Sequence, residues 1–134
     1  MRTLRSLVAT AAVAGALLGA TATAEAATTT SWRIEYGASV TAGTISWTDG
    51  RSASVNGNVH AVSGYRETCV WGVNGGAITE VACYGANPGK DHPFYHLLTL
   101  DKVGGVQLIH ISFRDEYDHQ LGQRGCTRNG CVVE

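Results

Sequence analysis

From Trp32 onward, apolar and polar positions follow one another in short alternating runs. Trp32, Ile34 and Tyr36 take every second place, with Arg33 and Glu35 between them. A period of two is the signature of a strand with one face covered, whereas a helix would space its apolar residues by three and four. Around Thr48-Asp49-Gly50 two such runs meet. A two-residue Asp-Gly turn would set Ile45 and Trp47 against Ser54 and Ser52 and mix the faces. A three-residue loop, with Gly50 left-handed, sets Trp47 against Arg51 and Ile45 against Ala53. It also gathers Ile45, Trp47, Ala53, Val55 and Val59 on one side, so we expect this register. Phe94 to Leu100 and Val106 to Phe113 are apolar at odd and even positions alike, which predicts central strands joined by a turn over residues 101–105. Strand-sized runs with Gly and Asn between them recur about every ten residues. That predicts an all-β, two-sheet antiparallel sandwich of about seven to nine strands.

The four cysteines extend this reading. Cys69, Cys83, Cys126 and Cys131 form an even set in a small chain, the pattern of a disulfide framework. Spacing alone allows three connectivities. Strand register favours Cys69 with Cys83 and Cys126 with Cys131. With Cys69 opposite Cys83, Trp71 meets Val81, Val73 meets Thr79, and residues 74–78 form the loop. One face then carries Cys69, Trp71, Val73, Val81 and Cys83, nearly all apolar. Direct opposition also brings the α-carbons to the short separation a disulfide requires. The expected stabilisation is about 3 kcal/mol for the longer loop and about 2 kcal/mol for the shorter one.

The N-terminus has a different grammar. Arg2 and Arg5 precede an apolar run from Leu7 to Ala20, and Ala24-Glu25-Ala26 follows. Basic, apolar, then small-x-small is the order of a secretory signal, and the run is short of the ~20 residues that span a bilayer. We expect residues 1–26 to be a signal peptide, with Ala24 as the alternative cleavage position. Residues 27–134 would form one secreted, extracellular, disulfide-stapled domain of about 108 residues. The net charge of −1 becomes about −2 without the leader, with the signs interspersed. That balance argues against nucleic acid and against an anionic membrane surface as partners. We expect a monomer with an extracellular ligand: a glycan, a small molecule or a protein.

Candidate chemistry is sparse. No Gly-x-Ser-x-Gly, His-Glu-x-x-His or phosphate-cradling glycine loop occurs, so we expect no enzymatic activity and no cofactor. His92 and His96 would be about 13 Å apart along a strand, too far for one zinc ion, and Pro93 opposes a helix; no metal site is expected. Asp115-Glu116-Tyr117-Asp118-His119 lacks calcium-loop spacing and reads as a solvated turn. His110, opposite Ile109, Ile111 and Phe113, reads as a hydrogen-bonded structural histidine. Two leads toward binding remain. Arg128 lies within the loop closed by Cys126 and Cys131, and a rigid loop offering Arg suits a trypsin-like protease. This loop is similar to the Cys-Thr-Lys/Arg reactive loop of Bowman–Birk inhibitors, although Asn129 and Gly130 stand where those have Ser and Pro. Tyr84 and Tyr95, with Tyr65, Tyr117 and Trp32, are the aromatics least committed to a core. Exposed rings flanked by amides and carboxylates are a means of holding sugars.

The small-residue leader, the Trp-bearing alternating strands and the closing Cys126-x4-Cys131 resemble small secreted actinobacterial β-sandwich proteins. That resemblance implies compartment and fold only. The cysteine layout is also similar to enediyne-binding apoproteins of the neocarzinostatin type, but the intervening residues do not match and no chromophore site is carried over. The expectation is a secreted, non-enzymatic binding module for a glycan, cell wall or small ligand. The alternative is an inhibitor or partner of an extracellular protein acting through the Cys126–Cys131 loop.

Overall fold

The computed structural model describes residues 28–134 apart from Asp49. The expected signal peptide therefore lies outside the described residues, as does the middle residue of the expected Thr48–Gly50 loop. Ten strands follow one another: β1 (Thr28–Tyr36), β2 (Ser39–Trp47), β3 (Ser52–His60), β4 (Arg66–Asn74), β5 (Ala77–Ile78), β6 (Ala82–Ala86), β7 (Asp91–Thr99), β8 (Leu108–Asp115), β9 (Gln120–Thr127) and β10 (Gly130–Val133). They form two antiparallel sheets. Sheet A has the order β1-β2-β3-β7. Sheet B has the order β10-β9-β8-β4-β5, with β6 also on β4. Among the described residues there is no helix long and apolar enough to cross a membrane.

The inner faces bury Trp32, Ile34, Ile45, Trp47, Val55 and Phe94 from sheet A against Val70, Ile109, Ile111 and Phe113 from sheet B. Ile45, Trp47, Ala53, Val55 and Val59 share that face as expected, but their register differs. Trp47 pairs with Ala53 and Ile45 with Val55, a two-residue displacement that keeps every side chain on its expected face. The connection is correspondingly longer than three residues. A two-residue slip leaves burial unchanged, so the hydrophobic pattern could not resist it.

Both disulfides form as expected, Cys69–Cys83 and Cys126–Cys131, each between directly paired strand positions. Near the first, two details differ. The β4–β5 hairpin turns tightly at Gly75-Gly76, because Asn74 pairs with Ala77 and Val73 with Ile78. The apolar face of Cys69, Trp71 and Val73 also lies outside the sandwich, and Val81 is 51% exposed. The core face of β4 is the polar-looking one: Arg66, Thr68, Val70, Gly72 and Asn74. Apart from the Arg66 Nε, its polar groups are buried with partners. Thr68 bonds Thr41, and Asn74 donates to the carbonyls of Val103 and Gly105. Gly72 leaves room for Val106, whose methyls a β-carbon there would meet at 2.8 Å. A satisfied polar group can be buried at little cost, and this reverses a reading based on apolar content alone.

The stretch from Val106 to Phe113 contributes β8, a central strand of sheet B, as expected. Phe94 to Thr99 of the expected run lies in β7, which is an edge strand of sheet A rather than a central one. Its inner face, Phe94, His96 and Leu98, packs on the core and on Tyr84, and its other face is open, with Leu97 52% exposed.

Candidate functional site

The outer face of sheet A is built by the polar half of each alternating run. Antiparallel register aligns these side chains into four rows across the strands. They are Thr29–Ser46–Ser54–Leu97, Ser31–Thr44–Asn56–Tyr95, Arg33–Ala42–Asn58–Pro93 and Glu35–Val40–His60–Asp91. Side chains paired across strands stand about 5 Å apart and successive rows about 7 Å apart. The face is therefore a shallow lattice of hydroxyls and amides. One aromatic ring rises from it: Tyr95, 60% exposed, directly opposite the exposed Asn56.

Two rows away, about 13 Å along the strand, a carboxylate is held in place. Asp91 Oδ1 accepts from Asn58 Nδ2 at 3.0 Å and faces His60 Nδ1 at 2.9 Å. The hydrogen bond from Asn58, then that from His60, holds the Asp91 carboxyl below the usual aspartate range. Both bonds use Oδ1, which leaves Oδ2 to accept from a ligand hydroxyl. An oriented carboxylate, the exposed Asn56 amide and a ring face supply what a polyhydroxylated ligand needs: acceptors, donors and a flat apolar surface.

Of the residues singled out from the sequence, Tyr95 belongs to this face and Tyr84 does not. Tyr84 is partly buried at the seam between β6 and β7. It stacks on Phe94 with centroids 4.6 Å apart, and its hydroxyl meets His96 Nδ1 at 2.8 Å. Trp32 is in the core, while Tyr117 is 73% exposed on the turn after β8. Arg128 is at the tip of the β9–β10 hairpin, where its guanidinium carbon lies 5.5 Å from the centre of the Trp47 ring. The loop is a tight turn pairing Thr127 with Gly130, not an extended segment of the kind a protease cleft accepts. The face residues missed from sequence are Asn56, Asn58, His60 and Asp91. The first three had a signal in β3, where Ser52, Ser54, Asn56, Asn58 and His60 occupy every second position.

Other clusters have structural work. In the turn after β8, Asp115 Oδ1 accepts from the backbone of Tyr117 and of His119, each at 2.9 Å. His110 stacks on Trp71 with centroids 5.2 Å apart, and its Nδ1 meets Glu134 at 2.7 Å. Glu67 gathers with Cys69 and Cys83, but both sulfurs are spent in the disulfide and offer no thiolate to a metal.

Comparison of the chain with protein families, with curated proteins and with solved structures returns no match.

Proposed function

We infer that this is an exported, non-enzymatic binding domain that recognises a glycan through the outer face of sheet A. The observation that carries the reading is the Asn56–Tyr95 pair, an exposed ring beside an exposed amide, with the oriented Asp91 carboxylate two rows further along the same face. One sugar ring would stack on Tyr95 with its hydroxyls on Asn56, and a following sugar of the same chain would reach Asn58 and Asp91. Two disulfides suit an oxidising, extracellular compartment, in keeping with the leader-like residues 1–26. The protease-inhibitor alternative is disfavoured by the packing of Arg128 on Trp47.

The test is co-sedimentation of the oxidised protein with cell walls and a panel of insoluble polysaccharides. We expect depletion from the supernatant on at least one polymer, reversed by soluble oligosaccharide. Tyr95→Ala and Asn56→Ala should each lose it, and Arg128→Ala should retain it. Binding that survives the Tyr95→Ala, Asn56→Ala double variant would place the site elsewhere. No depletion on any polymer would overturn the glycan reading.

A further inference from the structure

A second feature lies along the free edge of β7, in the backbone groups it leaves unpaired. Leu100 donates to Arg51 on the β3 side, and Lys90 accepts there from Ala61, so even-numbered positions in this run turn their peptide groups toward β3. Odd-numbered positions turn theirs to the free edge. The Tyr84 hydroxyl reaches the Tyr95 carbonyl from that side at 3.4 Å, in agreement. Pro93, which has no N–H to offer, belongs to the same set.

Edge strands are ordinarily blunted by proline, by charge or by cover. Here Pro93 and Tyr84 blunt the first half of the edge. The second half, at Leu97 and Thr99, has no such guard. Facing it across a cavity of about 480 Å³ are Ile78, Thr79 and Glu80. That volume is within the range of about 300–1,000 Å³ usual for ligand sites. Among the described residues, no hydrogen bond joins Ile78, Thr79 or Glu80 to Leu97–Leu100. Ile78 is 59% exposed and Leu97 52% exposed. The Glu80 carboxylate has no cation among the residues lining the cavity. His96 Nε2, enclosed and without a hydrogen-bond partner, lies 3.7 Å from it.

We propose that this groove takes an extended peptide segment of another protein, added to β7 as a further strand of sheet A, with an aliphatic side chain beside Ile78 and a lysine or arginine on Glu80. Two arguments select that occupant. Donors and acceptors that repeat about every 7 Å along a strand edge are matched by another extended backbone. An aliphatic wall carrying one carboxylate that is 80% exposed and has only the His96 ring beside it favours alternating apolar and basic side chains. The site borders the outer face at Leu97 but uses none of Asn56, Tyr95 and Asp91, so it can succeed or fail independently of the glycan reading.

The experiment is amide NMR of the oxidised protein titrated with the acetylated, amidated peptide Thr-Val-Thr-Lys-Thr-Val-Thr. Shifts should concentrate at Leu97, Thr99 and residues 78–80. Replacing Lys by Glu should weaken binding by roughly fivefold, and N-methylating alternate peptide nitrogens should abolish it. Leu97→Pro, which removes one outward N–H as Pro93 already does, should also abolish it, and Glu80→Lys, which leaves sheet A untouched, should weaken it while co-sedimentation with polysaccharide is kept. The proposal is overturned by an absence of shifts at millimolar peptide, or by equal binding of the N-methylated peptide, which requires no protein variant. It is equally overturned if the free protein sediments as a dimer that Leu97→Pro makes monomeric, because the groove would then be an interface between two copies.

Discussion

The hydroxyl of Thr68 donates to the hydroxyl of Thr41 at 2.7 Å, joining the two sheets at a point where both side chains are fully buried. Thr41 in turn donates to the Asn58 carbonyl at 3.2 Å, so the chain of hydroxyls has a direction. Removing its two members should therefore have unequal effects. Thr41→Val leaves the Thr68 donor buried without an acceptor, which costs about 1–3 kcal/mol. Thr68→Val leaves only a spare lone pair on Thr41 and should cost less. The double variant should be more stable than Thr41→Val alone, because nothing polar is then stranded. Urea denaturation of the four proteins measures this directly. Additive losses would mean that the two hydroxyls do not act as a pair.

Across sheet A, Trp32, Gly43, Gly57 and Phe94 form one row on the core face. The two rings, 6.2 Å apart, close over the glycines between them. A β-carbon on Gly57 would sit 2.7 Å from the Trp32 ring and 2.9 Å from the Phe94 ring. Both rings are buried and have little room to yield. We expect Gly57→Ala to destabilise by about 1–3 kcal/mol, the usual cost of overpacking, although alanine suits a strand better than glycine does. Thermal unfolding of the variant provides the check, and an unchanged or raised melting temperature would show that the row can spread.

The fold class and the disulfide pairing were legible because burial and bond geometry constrain the same register. Which face of β4 turns inward was not legible. Thr68, Gly72 and Asn74 look like surface residues until Thr41, Val106 and the 103–105 turn are placed against them, and those partners are distant in the chain. Similarly, Leu97 and Leu98 look like a doubly covered strand. That β7 ends its sheet is a property of topology, which local pattern does not encode. The outer-face residues were legible in principle from the alternation in β3, but polar alternation also describes any solvated sheet, so only the register across β2, β3 and β7 sets them around Tyr95.

Tyr84 and Tyr95 separate stability from recognition. Tyr84 covers Phe94 and bonds His96 at the seam, whereas the Tyr95 ring is exposed. Tyr84→Ala should destabilise by about 3 kcal/mol, toward the lower end for losing a large aromatic because the site is only partly buried. Tyr84→Phe should cost about 1 kcal/mol for the hydroxyl. Tyr95→Ala should move stability by less than about 0.5 kcal/mol while removing polysaccharide binding. If Tyr95→Ala instead unfolds the domain as readily as Tyr84→Ala does, the ring is packing, not recognising.

Three carboxylates set the response to acid. The hydrogen bonds from Asn58 and His60 depress Asp91. Burial alone would raise Asp115, but the backbone N–H groups of His119 and Tyr117 and the charge of His119 outweigh it. Burial would likewise raise Glu134, but hydrogen bonds from Gln123 and His110 hold it below its ordinary value. A depressed carboxylate stabilises the fold fully above its unfolded pKa, about 3.9 for Asp and 4.3 for Glu, and that contribution is lost as pH falls through the lower, folded value. These groups should therefore leave stability level from about pH 7 to about pH 5 and erode it below. Glu134→Gln should lower stability near pH 7 by about 1 kcal/mol and make the acid limb shallower. Its melting curve and that of the unsubstituted protein should approach each other toward about pH 2, where the native carboxylate is protonated as well. Melts at intervals across this range decide the matter. A gap between the two proteins that stays constant from neutral pH to pH 2 would show that Glu134 stabilises by shape or packing and not through its charge.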